Sequence, residues 1–224
     1  MIPIRDENPT SHVPYVTYGL IAANILVYVV MWLSGFNQEA LVYQFALIPA
    51  NLTTGLGAGD VFDIFTSMFM HAGLLHLAGN MLYLWIFGDN VEDSLGPFKY
   101  LIFYFVGGTV ASLTHILTNP GSQIPTVGAS GAIGAVLGAY LVLYPRSRIM
   151  TLILLGFYMR MTLIPASIVL GVWFVMQLFS GVLSLGGPDV GGVAFWAHVG
   201  GFLSGVVLAL LLANRRKPEY TVPW

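Results

Sequence analysis

Charged positions divide this chain into long uncharged runs. Between Glu7 and Glu39 lie 31 residues without a charge, between Asp63 and Asp89 there are 25, and between Lys99 and Arg146 there are 46. Runs of 28 and 25 residues follow, from Arg160 to Asp189 and from Asp189 to Arg215. A bilayer-crossing helix takes roughly 20 apolar residues, so each run holds one span and the longest holds two. The Asn119-Pro120-Gly121 break divides that longest run and starts the fourth span near Val127–Gly128. The predicted spans are 14–34, 64–88, 98–118, 128–145, 164–184 and 193–213. The expected fold is an all-α integral membrane protein, a six-transmembrane-helix bundle over 14–213 with short tails at 1–13 and 214–224. Residues 149–159 are apolar but too few to cross, which predicts an interfacial segment. The loop over 35–63 is long and carries Phe36, Tyr43, Phe45, Leu47, Ile48 and Leu52, so it is expected to lie partly in the membrane interface.

Composition narrows the class. Hydrophobic residues make up 57% of the 224, and charged residues only 8%, where a soluble domain carries about a quarter. This excludes a soluble enzyme, a secreted domain and a nucleic-acid binder. The lipid bilayer is the implied surrounding, and no soluble partner is called for. Cysteine is absent, which removes disulfides, thiolate metal sites and a cysteine nucleophile. The first apolar run is too long for a signal-peptide core and reads as a retained anchor. With six spans, Arg5, Lys99, Arg146, Arg148, Arg160, Arg215, Arg216 and Lys217 all fall on the side of the termini. The positive-inside rule then makes both termini cytoplasmic.

Polar groups inside apolar spans mark candidate chemistry, because they cost free energy unless paired. The second span carries His71, His76 and Asn80. His76 and Asn80, four apart, share a helix face, while His71 is expected to point elsewhere. The fourth span opens with Gly128-Ala129-Ser130-Gly131, and the sixth contains Ala197-His198-Val199-Gly200-Gly201. These three spans run in the same direction. Ser130, His76 and His198 therefore share a level within roughly 5–15 Å of the outer face at 1.5 Å rise per residue. Gly134 with Gly138, and Gly201 with Gly205, form GxxxG pairs that let two helices approach closely. Such a crossing brings Ser130 within reach of His198, the arrangement of a serine nucleophile with a histidine base. No Asp or Glu lies at that depth, so the pair is a dyad. His76, Asn80 and the backbone N–H of Ser130 are candidate oxyanion donors.

The GxSG at Ser130, the His71…His76…Asn80 segment and the AHxxGxxxG at His198 together resemble the rhomboid family of intramembrane serine proteases, over nearly the whole chain. The resemblance implies cleavage of other proteins' transmembrane segments near the membrane surface, with water entering from outside. It implies Ser130 as nucleophile, His198 as base, His76 and Asn80 as oxyanion donors, and His71 as structural. It implies no metal and no cofactor, and a prokaryotic plasma membrane as the setting. Two family features are missing: the Trp-Arg pair of the first loop, and the aromatic four residues after the serine, where this chain has Gly134.

Other readings have weaker support. Gly57-Ala58-Gly59-Asp60 spells the GxGD of intramembrane aspartyl proteases, yet no second intramembrane aspartate accompanies it. HExxH is absent. A channel or transporter using intramembrane His and Asn lacks a visible inverted repeat. An inactive rhomboid-like binder of membrane proteins would ordinarily have lost the serine or the histidine. The fifth span, with Trp173, Phe174, Gln177 and Phe179 beside the Gly186-Gly187-Pro188…Gly191-Gly192 loop, is the expected lateral gate with a mobile cap.

Overall fold

The computed structural model describes residues 1–35, 38–54, 57–155, 158–185 and 192–213. Its long helices are α1 (Tyr15–Leu33), α5 (Leu74–Leu95), α6 (Pro97–Thr118), α8 (Ala166–Ser184) and α9 (Phe195–Leu212), joined by the shorter α7 (Ser130–Leu143). Between α1 and α5 lie α2 (Gln38–Phe45), α3 (Pro49–Thr54) and α4 (Ala58–Thr66). Among the described residues, α1, α6, α8 and α9 are each long and apolar enough to cross a membrane. The bent pair formed by Gly59–Phe69 and α5 makes a fifth candidate.

The second predicted span, 64–88, needs correction. A 3-10 turn over Ser67–Phe69 and an extended Met70 break the helix, and the segments on either side meet at 80°. The straight part begins only at Leu74 and runs on to Leu95. A contiguous apolar run cannot reveal such a bend, since hydropathy is blind to backbone direction. The all-α expectation also needs correction. A three-stranded antiparallel sheet, ordered β1-β2-β3, joins Ile2–Asp6, Arg148–Leu155 and Tyr158–Pro165. The apolar stretch after Arg148 is thus one strand of a hairpin. It is rich in β-branched residues, which favour a pleated surface, and Ile149 and Thr151 are buried at the two-residue period of a strand. Residues 2–6, expected in the N-terminal tail, form β1.

The sheet and the joints at the same end of the bundle close it opposite Ser130. Asn90 Nδ2 donates to the Asn8 carbonyl, and the Tyr140 hydroxyl donates to Asp6 at 2.6 Å. Pro14 gives α1 no side-chain cap, and Glu92 of α5 supplies one. Its carboxylate accepts from the N–H groups of Val16 and Thr17 and from the Thr17 hydroxyl at 2.8–2.9 Å. A buried carboxylate at a helix N-terminus satisfies orphan donors and the macrodipole together. The described basic residues Arg5, Lys99, Arg146, Arg148 and Arg160 belong to this end, while Arg215, Arg216 and Lys217 lie outside the described residues.

Candidate active site

α7 is the element that sets the depth of the site. Its 14 residues span about 21 Å at 1.5 Å each, less than the ~30 Å hydrocarbon layer. Ser130, its first residue, therefore stands inside the bundle, and the chain leading to it must enter as irregular backbone. Such backbone is tolerated at membrane depth only where protein covers it or a cavity lies beside it. Both conditions are met. The first loop clamps the entering segment: Leu47 and Thr126 exchange backbone hydrogen bonds at 2.8 and 3.1 Å, and Ala50 N–H donates to the Ser122 carbonyl. Thr53 Oγ1 donates to the Pro120 carbonyl, and Gly128 N–H to the Ser67 carbonyl. A cavity of about 1200 Å³ opens above Ser130, with His76, Asn80, His115, Thr126 and His198 on its wall. The loop expected at the interface thus braces the approach to Ser130, a role its apolar composition did not announce.

Ser130 Oγ and His198 Nε2 are 2.8 Å apart. This short distance depends on glycines. A Cβ at Gly138 would overlap the Phe202 carbonyl oxygen, one at Gly201 the Gly131 carbonyl oxygen, and one at Gly205 the Ala135 carbonyl oxygen. At Gly134 it would stand 3.0 Å from the His198 carbonyl oxygen. The helices therefore meet backbone to backbone, and α7 and α9 hold Ser130 and His198 across that seam. α6 closes the third side, where Gly107 faces the Ala135 methyl and Gly200 faces Thr114. The tight contact at Gly134 also explains why no aromatic follows the serine by four residues.

His76 and Asn80 do share a face of α5, and both border Gly128. A Cβ there would lie 2.9 Å from His76 Nε2 and 3.6 Å from Asn80 Nδ2, and the φ of +128° is itself a glycine conformation. Asn80 Nδ2 is buried without a hydrogen-bond partner. His71 corrects the sequence reading. It precedes α5 instead of sitting in it, so helical spacing does not apply, and its ring meets that of His76 edge-on at a centroid distance of 5.1 Å.

Sequence reasoning grouped Trp173, Phe174, Gln177 and Phe179 as gate residues, and the structure separates them. Gln177 Oε1 lies 2.7 Å from His198 Nδ1. The Trp173 ring lies 5.8 Å from the imidazole and supplies, from α8, the aromatic neighbour that α7 lacks at Gly134. Phe174 stacks on Phe202, and Phe179 is exposed. Gln177 is the one side-chain amide of α8, and a polar group in an otherwise apolar helix is the signal that marks it. His115 was missed, and it bonds Thr126 Oγ1 at 3.1 Å on the cavity wall. Of the predicted cap loop, 186–191 lie outside the described residues. Asp60 of the GxGD sequence accepts from the Gly57 N–H at the start of α4, a helix-capping contact.

The family model of the Rhomboid domain matches residues 58–215. The chain is 33% identical to the "Rhomboid protease GluP" of Bacillus subtilis over 145 residues, 64% of this chain and 27% of that protein. It is 28% identical to "RHOMBOID-like protein 12, mitochondrial" of Arabidopsis thaliana over 210 residues, 82% of this chain and 58% of the relative. Against the human "Presenilin-associated rhomboid-like protein, mitochondrial" it is 30% identical over 133 residues, 58% of this chain and 33% of that one. The match thus spans less than two thirds of each of these relatives' length.

Proposed function

The chain belongs to the rhomboid family, and from that footing we propose that it is an intramembrane serine endopeptidase acting through a Ser130–His198 dyad. The observation that carries this reading is the 2.8 Å contact between Ser130 Oγ and His198 Nε2 at the floor of a cavity. The unpaired Asn80 amide supports it further. An unpaired buried donor costs about 1–3 kcal/mol, and an oxyanion that forms only during reaction would satisfy it.

In this mechanism Ser130 Oγ attacks the scissile carbonyl carbon while its proton passes to His198 Nε2. The tetrahedral oxyanion receives hydrogen bonds from Asn80 Nδ2, from a His76 ring N–H and from the Ser130 backbone N–H, whose place in the first turn leaves it without an intrahelical acceptor. Collapse breaks the C–N bond, and the imidazolium returns the proton to the leaving amine. Water then attacks the Ser130 ester as His198 Nε2 takes its proton, and collapse breaks the C–O bond to Ser130 while the imidazolium returns that proton to Ser130 Oγ, which releases the acid and restores both groups.

The substrates are transmembrane proteins, cleaved in or beside a membrane-spanning segment. Six crossings are assigned to α1, α5, α6, α7, α8 and α9, within a membrane domain over 14–213. Both termini are assigned to the cytoplasm, because the described basic residues gather at the end opposite Ser130. A prokaryotic plasma membrane is the proposed setting. The test compares purified wild type with Ser130→Ala and His198→Ala on a transmembrane reporter. Both variants are expected to lose at least about 10³-fold in cleavage while their melting temperatures stay near wild type. Asn80→Ala is expected to cost about tenfold or more in kcat. Undiminished cleavage by Ser130→Ala or His198→Ala would end the proposal, and an unchanged Asn80→Ala rate would remove Asn80 from the oxyanion donors.

A further inference from the structure

The dyad accounts for one nitrogen of His198. The other, Nδ1, faces the Gln177 amide oxygen of α8 at 2.7 Å. An amide oxygen accepts and cannot donate. The imidazole proton therefore sits on Nδ1, which donates to Gln177 Oε1, and Nε2 keeps the lone pair that a base needs. The same imidazole in its other tautomer would point a proton at Ser130 Oγ and could not deprotonate it. A third group that fixes the tautomer and holds the ring is the recurring companion of a serine–histidine pair.

From this geometry, and resting on the protease reading above, we infer that Gln177 is a positioning residue for His198. It fixes the Nδ1–H tautomer, so the dyad operates as a Ser–His–Gln triad with a neutral third member. The neutrality has a physical reason. A carboxylate in an apolar span is costly to bury, whereas an amide orients the ring at a much smaller desolvation cost. It also stabilises the imidazolium less than a carboxylate would, so the residue acts mainly through tautomer and orientation. The support comes as a unit from α8: Trp173, one helical turn before Gln177, lies against the same imidazole. Productive orientation of the base thus depends on α8 being docked on α9.

The test uses the full-length protein in detergent or bilayer, with the transmembrane reporter and a small fluorophosphonate as readouts. Gln177→Leu and Gln177→Asn remove or withdraw the acceptor. Each is expected to lower kcat by about tenfold or more with KM within about twofold, and to slow fluorophosphonate labelling of Ser130 in proportion. Gln177→Glu keeps an acceptor oxygen at the same reach, so it is expected to restore kcat to within about threefold of wild type. It should also move the acid limb of the kcat/KM profile to higher pH, because a carboxylate beside Nδ1 stabilises the imidazolium. The other titratable groups acting on His198 are His76 of α5 and His115 of α6. Both are unchanged in these variants, so a shift reports residue 177. Wild-type kcat in Gln177→Leu or Gln177→Asn would overturn the inference. So would a Gln177→Glu variant as slow as Gln177→Leu with an unmoved pH profile, since that outcome marks a packing role. A wild-type protein that neither cleaves nor labels would instead end the protease reading itself.

Discussion

His198 is held from two sides by opposite kinds of packing. On one side α7 is buried without interruption from Ala132 to Tyr140, and its glycines and those of α9 bring backbone against backbone. On the other side stands α8, whose buried residues Ala166, Val169 and Leu170 all lie at its sheet end, leaving Gly181 as the buried residue of its far half. There it touches α9 through a few side chains: Trp173 and Phe174 on Phe202, Gln177 on His198, and the Trp196 indole donating to the Gly181 carbonyl. Backbone contact admits no intermediate separation, because a Cβ placed in the seam has nowhere to go. Side-chain contact can be made and unmade by rotamer changes. The seam therefore fixes how far Ser130 stands from His198, and α8 supplies the adjustable support.

The largest expected effect breaks the rigid side. Gly205→Val places a branched side chain on the Ala135 backbone and should destabilise by about 3 kcal/mol or more. Thermal melting is expected to fall together with cleavage. A variant that melts like wild type would show that the seam yields more readily than its geometry implies.

A second experiment holds the adjustable side shut. A Cβ on Gly181 lies 3.5 Å from that of Phe195, within the range a disulfide takes, and the chain has no cysteine of its own to interfere. We predict that oxidised Gly181→Cys/Phe195→Cys cleaves the transmembrane reporter at least about tenfold more slowly. Fluorophosphonate labelling of Ser130 should stay within about threefold, and reductant should restore cleavage. The prediction follows from Leu75, Gly79 and Tyr83 of α5 and Trp173 of α8 being among the residues that line the cavity. Equal cleavage in both redox states would mean that α8 need not move.

The smallest effect concerns the far end of α7, where the Tyr140 hydroxyl donates to Asp6. Burial raises the Asp6 carboxyl from 3.8 to about 6, with the Tyr140 hydrogen bond opposing the rise. A carboxyl whose folded pKa is raised binds protons more tightly in the folded state, so its stabilising contribution is full below about pH 4. That contribution declines as pH rises through about 6. Asp6→Asn cannot ionise. The melting temperature of wild type relative to Asp6→Asn is expected to fall between pH 4 and pH 7, and a difference that does not change with pH would contradict this.

Much of the architecture was legible because burying charge in lipid is costly wherever it occurs in a fold. The uncharged runs therefore mark apolar segments without reference to neighbours, and α1, α6, α8 and α9 begin and end within a few residues of the predicted spans. Ser130, His76, Asn80 and His198 stood out for the same reason, as polar groups that a bilayer would not otherwise tolerate. Backbone direction was not legible. The 80° break before Leu74 lies inside one apolar run, and the hairpin after Arg148 offers helix and strand the same hydropathy. The meeting of the His71 and His76 rings follows from that break and not from their spacing of five.

Composition and charge placement, then, determined on their own that this chain is a membrane protein and which few polar side chains had to be accounted for. Those are one-body costs of transfer from water to lipid. Tertiary structure alone decided what each side chain faces. It set the entry of Ser130 at the floor of a cavity and matched the glycines of α7 to carbonyls of α9. It also brought an amide from α8 to the back of His198. Such pairings depend on distances between helices far apart in the chain, and hydropathy along one segment carries no information about them.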